Sequence, residues 1–182
     1  MINHLKSSTE NCVWGYFDAK EKARYCVKSG EEIIIETVSG GPDVIPSQKF
    51  YTPPELLEIH KLGVPQVPGH ILTGPVSVEG AMPGDTLQVD ILDISLRQDW
   101  GYNFIRPLSG ALPYDFDEEI HMNIPLDRDK MIATLPWGLE LPLSPFFGVM
   151  GVAPPSGWGK LFPHAPWRGL YLGRHFGRHF YL

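Results

Sequence analysis

The chain has 182 residues, 43% of them hydrophobic, and a formal net charge of -6 at pH 7. That is enough apolar material for one domain with a real core. The acidic balance and the lack of a basic-aromatic run speak against a nucleic-acid partner, and no apolar segment approaches the roughly 20 residues that span a bilayer. Residues 1–6 lack the charged and apolar regions of a secretory signal, and Cys12 and Cys26 make no disulfide framework, so a cytoplasmic protein with reduced thiols is expected. Glycine (19) and proline (18) fall as punctuation between short apolar runs, which favours many short strands over long helices.

The first informative stretch is Trp14-Gly15-Tyr16-Phe17-Asp18-Ala19, an aromatic cluster ending in a carboxylate. By composition it is a core-edge strand, with Asp18 as a turn or cap residue. Residues 23–27 form a short strand candidate, and residues 32–38 a β-branched one. Alternation puts Ile33, Ile35 and Thr37 on one face and Ile34, Glu36 and Val38 on the other. An ionised Glu36 among aliphatic neighbours costs several kcal/mol unless it sits at a wet rim or meets a cation, a metal or a donor. Ser39-Gly40-Gly41-Pro42 breaks the strand without any phosphate-loop pattern. Thr52-Pro53-Pro54-Glu55 then opens a helix, with Thr52 as cap, Pro53 at the first helical position and Glu55 spaced for a capping box. Its apolar face is expected at Leu56, Leu57, Ile59 and Leu62, and Gly63 ends it; His60 falls near the C-terminus, where a solvated position suits the dipole.

The segment from Val67 to Val76 places His70 between a Pro68-Gly69 turn and an apolar run closed by Gly74-Pro75. A histidine held at such a junction is either a hydrogen-bonded core residue or a group aimed at a metal or substrate. Residues 76–78 make a short strand and residues 80–85 a turn. Residues 86–94 are the longest strand candidate, with Asp90 on a polar-facing side. Asp99-Trp100-Gly101-Tyr102-Asn103 reads as a loop able to line a small pocket through Trp100 and Tyr102. Residues 115–119 form an acidic, solvated loop. Residues 131–135 read as a strand turned by Pro136-Trp137-Gly138, and residues 146–153 as buried, closely packed strand. In the tail, Arg174-His175-Phe176 recurs as Arg178-His179-Phe180, but Gly173 and Gly177 oppose the helix that would bring the two histidines together. A frayed tail is expected there.

There is no Gly-x-Ser-x-Gly elbow, no His-Glu-x-x-His pair and no Cys-x-x-Cys. Asp18, Glu36 and His70 remain, a scatter compatible with a metal that polarises a carbonyl and activates water. The segments around these residues resemble the acetamidase/formamidase family: Trp14 to Ala19, Ile35-Glu36-Thr37-Val38-Ser39-Gly40-Gly41-Pro42, Gly69-His70-Ile71-Leu72-Thr73-Gly74-Pro75-Val76, and the segments starting at Gly80, Asp99 and Pro145. The likeness runs in order from about Asn11 to Gly159. It implies a mainly β, sandwich- or barrel-like fold with one short helix, and hydrolysis of formamide or acetamide to ammonia and the acid. It implies a divalent metal, zinc or calcium, held by Asp18, Glu36 and His70, with Glu36 or Asp18 handling protons. The substrate would be a small amide, and a homo-oligomer is compatible. Two departures from the family pattern are visible: Val13 stands where members carry a histidine, and the chain leaves the pattern after about Lys160. Residues 1–160 are therefore read as the N-terminal part of such a domain, and 161–182 as a divergent tail, non-native if a frameshift made it. The alternative is an inactive truncated fragment that binds metal or associates with itself without turnover.

Overall fold

In the computed structural model, residues 2–46, 49–62, 70–108 and 112–160 are described, together with the backbone of 179–181. In chain order the strands are β1 (Asn3–Leu5), β2 (Cys12–Trp14), β3 (Tyr25–Val27), β4 (Ile33–Ile35), β5 (Ile71–Thr73), β6 (Val76–Val78), β7 (Trp100–Ile105), β8 (Ile120–Asp127), β9 (Ile132–Thr134), β10 (Glu140–Pro142), β11 (Gly151–Val152) and β12 (His179–Tyr181). The helix α1 spans Pro54–Lys61. The fold is mainly β, as expected, and among the described residues its sheets close into no barrel. Contacts divide the chain into two units, one of Met1–Gly40, Pro54–Ile91 and Phe147–Leu182, the other of Gly41–Pro53 and Leu92–Phe146.

In the first unit β1 runs parallel to β4, β2 antiparallel to β5, and a sheet is ordered β11-β12-β6-β3. The strands expected at 23–27 and 32–38 form as β3 and β4, while β5 stops at Thr73: the Gly74 N–H still donates to Asn11 O at 2.8 Å, and Pro75 then has no donor to give the ladder. Two apolar clusters result. One joins Val13, Phe17, Leu72 and Ala153; the other joins Leu5, Val27 and Val76. Gly151 belongs to the first packing problem, because a Cβ there would lie 2.8 Å from the Phe17 ring. The close backbone packing expected across 146–153 is thus real at Gly151 and Ala153. It fails at Phe146, in the other unit, which is 82% exposed.

Helix α1 begins at Pro54, one residue later than expected, with Pro53 fully buried before it. Leu56 and Ile59 are buried, but Leu57 and Leu62 are exposed. So short a helix buries a single i, i+3 stripe, and Leu57 lies about 100° round from Leu56. Glu55 accepts the Ser7 hydroxyl at 3.1 Å.

The second unit is an antiparallel meander ordered β10-β9-β8-β7. Residues 99–103, expected as a loop, instead supply most of β7, and β8 carries no strand signature in the sequence because Pro125 interrupts it. The strand and turn expected at 131–138 are present as β9 and a turn in which Gly138, at φ +85, donates its N–H to Leu135 O at 2.9 Å. Glu119, in the exposed acidic loop, pairs with Arg106 at 3.2 Å.

Two further expectations need correction. Residues 86–94, the longest strand candidate, join no ladder among the described residues. The tail was expected to fray, yet the backbone of His179–Tyr181 runs between β6 and β11. The Pro68-Gly69 turn, Gly63, the Arg174-His175-Phe176 motif and the rest of 161–178 lie outside the described residues.

Candidate functional site

The β2–β5 ladder brings distant sequence motifs side by side. Trp14 faces Ile71, Val13 faces Leu72 and Cys12 faces Thr73. Just past the ladder, the Gly15 N–H donates to the His70 carbonyl at 2.9 Å. From the other side, the Thr73 hydroxyl donates to the Glu36 carbonyl at 2.7 Å. Thr73 is 1% exposed, so this bond meets the need of a buried hydroxyl for an acceptor. The segments containing Trp14, Glu36, His70 and Ala153 therefore meet around one strand in the first unit.

The acidic residues have definite local duties. Asp18 is buried at 6% exposure; its Oδ1 accepts the Lys20 N–H at 2.8 Å and its carbonyl accepts that of Glu21 at 3.2 Å. That is the turn role its composition suggested. Glu36 does find a partner, as its place on an aliphatic face required: its Oε1 lies 2.8 Å from His4 Nε2. His4 was not singled out from the sequence. It enters because β1 and β4 pair in parallel with His4 opposite Ile34, which carries Glu36 to within reach. His70 has an exposed side chain.

Asp18, Glu36 and His70 were expected to form a ligand shell for zinc or calcium. Among the described residues no group of three His, Cys, Asp or Glu side chains is arranged to hold a metal ion. The three residues share a neighbourhood through backbone and hydroxyl contacts, while the carboxylates of Asp18 and Glu36 point to a turn amide and to His4. As they stand, these donors do not fit a metal shell.

A cleft of about 290 Å³ opens beside the ladder, with Cys12, Trp14, Tyr16, Glu21, Arg24 and Ile59 among its lining residues. The Tyr16 hydroxyl donates to Glu21 Oε1 and Arg24 Nη2 to Glu21 Oε2, each at 3.1 Å. Burial, and then the Glu21 carboxylate, hold the Tyr16 phenol above the usual tyrosine range. Lys160 Nζ lies 4.1 Å above the Tyr16 ring. Behind Trp14 stands His60, its ring 5.3 Å away and its Nε2 2.9 Å from the Gly40 carbonyl. His60 is thus half-buried and held by a hydrogen bond rather than solvated.

Trp100 and Tyr102, expected to line a substrate pocket, belong to the second unit. Trp100 is 1% exposed and donates its indole N–H to Tyr51 O at 2.8 Å, which makes it a core anchor with no free face for a ligand. The Tyr102 ring lies 6.3 Å from those of Trp100 and Phe104, so strand alternation places the three in a row along β7. The Tyr16, Glu21 and Arg24 group went unnoticed in the sequence because nothing in an ordinary loop composition marks it.

The model of the Acetamidase/Formamidase family matches residues 22–159, and the chain belongs to that family. The crystal structure of an acetamidase from Bacillus halodurans superposes with a TM-score of 0.69 at 28% identity, covering 96% of this chain and 52% of that one. A formamidase of Methylophilus methylotrophus is 56% identical over 36 residues, which are 19% of this chain and 9% of its own length. An acetamidase of Mycolicibacterium smegmatis is 49% identical over 47 residues, 21% of this chain and 12% of its own. The chain spans about half the length of the Bacillus protein.

Proposed function

We propose that this chain serves the hydrolysis of small linear amides, formamide or acetamide, to ammonia and the carboxylic acid. The observation that carries this reading is the convergence of the family-like segments on β5, beside a cleft suited to a molecule of a few heavy atoms. Hydrolysis of an amide needs a group that takes a proton from water and returns one to the departing nitrogen. Glu36 with His4 is the acid–base pair available, partly exposed and hydrogen-bonded at 2.8 Å. Thr73 links this pair to the cleft, since its Oγ1 binds Glu36 O and lies 3.6 Å from Cys12 Sγ in the cleft wall. In the cleft the Tyr16 O–H is donated to Glu21, so the Tyr16 oxygen and the Glu21 carboxylate offer acceptors to an amide N–H. Asp18 holds the turn that presents them. In this reading His70 marks the junction rather than acting on substrate. A zinc or calcium ion would supply Lewis acidity, but no step is assigned to it, because the described donors do not make its shell.

The test is ammonia release from formamide and acetamide by the purified chain, with and without added zinc or calcium. Release is expected, and Glu36→Gln should lower it by about 10²–10⁴-fold while leaving the melting temperature close to that of the parent. Release untouched by Glu36→Gln removes the assignment of the base. No release under any condition removes the activity and favours a second reading, a family member that binds without turnover.

A further inference from the structure

The cleft of the first unit is larger than formamide or acetamide needs. A cavity of roughly 150 Å³ takes up a benzene molecule, and this cleft measures about 290 Å³. Acetamide, smaller than benzene, leaves most of it unfilled. The lining also divides by chemistry. Its polar part is Tyr16, Glu21 and Arg24. The Glu21 side chain is 24% exposed, its Oε1 accepts the Tyr16 hydroxyl and its Oε2 accepts Arg24 Nη2, each at 3.1 Å. The Arg24 backbone N–H is tied to Pro75 O at 2.8 Å, which anchors the residue that holds the carboxylate.

The apolar part is Val13, Trp14, Ile59 and Leu62. Trp14 has a firm mount: the His60 ring lies 5.3 Å from its own, and His60 Nε2 is 2.9 Å from the Gly40 carbonyl. Ile59 is buried, but Leu62 is 64% exposed, apolar surface left for a ligand to cover. Formamide has no apolar group to set against these side chains, and acetamide has only a methyl.

We propose that this cleft selects primary amides with a flat aromatic acyl group, of which benzamide is the simplest, with Trp14 and Leu62 as specificity-determining residues and Glu21 as the acceptor for the amide NH2. The proposal deepens the amide reading above and rests on it. An ionised carboxylate only accepts, and a primary amide nitrogen carries two N–H donors, so the two are complementary. Benzoate, the corresponding acid, brings acceptors to acceptors and is disfavoured; Arg24 already donates to Glu21 and to Lys22 O. Trp14 favours an aromatic over a straight-chain acyl group, because ring-on-ring contact adds to the area buried and a rigid group loses less freedom on binding.

NMR titration of the 182-residue chain with acetamide, hexanamide, benzamide and benzoate tests the selection, and ammonia release from the three amides is followed separately. Benzamide should bind at least about tenfold more tightly than acetamide, and more tightly than hexanamide or benzoate. Leu62→Glu, which charges the apolar lining at an exposed site, should weaken benzamide by about tenfold while the melting temperature stays in place. Trp14→Leu should bring benzamide down to the level of hexanamide, and Glu21→Gln should narrow its lead over benzoate. Tight binding of benzamide without turnover supports the selection and removes the hydrolysis. Benzamide that does not bind, or binds no more tightly than acetamide, hexanamide or benzoate, overturns the selection; ammonia released from acetamide in that case leaves the hydrolysis standing. Benzamide affinity unmoved by both Leu62→Glu and Trp14→Leu overturns it as well.

Discussion

The two units place their apolar residues very differently. The unit built on β2, β5 and β6 buries Leu72, Val76, Phe17 and Leu5 in two clusters. The meander of β7 to β10 buries Trp100 and Ala133 but leaves Trp137, Leu139, Tyr114 and Phe146 at least half exposed. Both are held by backbone ladders, so the presence of strand pairing does not separate them. What separates them is cover. Short strands are stable only when one face is removed from water, and the first unit does this with strands that are distant in sequence, while the meander, made of neighbours, has one anchoring aromatic ring.

The largest expected contrast comes from paired substitutions. Leu72→Ala should cost about 2–5 kcal/mol, since it empties a buried site at the β2–β5 ladder, whereas Trp137→Ser should stay within about 0.5 kcal/mol. Chemical denaturation followed by exchange at β5 and at β9 measures both; equal losses would erase the distinction between the units. A smaller effect is expected at Gly151→Ala, where the new methyl meets the Phe17 ring at 2.8 Å and overpacking should cost about 1–3 kcal/mol. Phe17→Leu in the same chain should recover part of that loss if the contact is the cause.

The smallest effects are electrostatic and act at opposite ends of the pH scale. In the first unit folded Tyr16 keeps its proton to higher pH than an unfolded tyrosine, because of burial and then Glu21. Its contribution is therefore complete below the ordinary tyrosine range and is lost as pH rises through the raised value. In the meander the Lys130 N–H, and then the Lys130 side chain, hold the Asp127 carboxyl below the usual aspartate range. That contribution is present above the ordinary range and is lost as pH falls through the lowered value. Exchange at β2 should rise first in alkali and exchange at the β8–β9 turn first in acid; Tyr16→Phe and Asp127→Asn should remove the respective dependence.

Local features of the fold were legible in the sequence wherever a local cause decides them. The β-branched run at β4, the stop at Gly74-Pro75, the helix after Pro53 and the turn at Gly138 follow from backbone freedom and periodicity. Pairing is not local. Residues 86–94 carry a better strand signature than β8, yet β8 lies between two partners and residues 86–94 have none among the described residues. The candidate site divides the same way. Glu36 announced its need for a partner through its aliphatic neighbours, but that partner, His4, depends on a parallel register that no local pattern encodes. Trp100 looked like a loop aromatic because nothing in its neighbours shows that Tyr51 O waits for its N–H.

The sheet ordered β11-β12-β6-β3 has a consequence for how the molecule is made. As the chain leaves the ribosome, β3 has no ladder until β6 appears, and Val76 of β6 then waits for Phe180 on its other side. The nascent chain thus carries an open edge until residues 179–181 have emerged, the interval in which chaperone capture or co-translational aggregation decides yield.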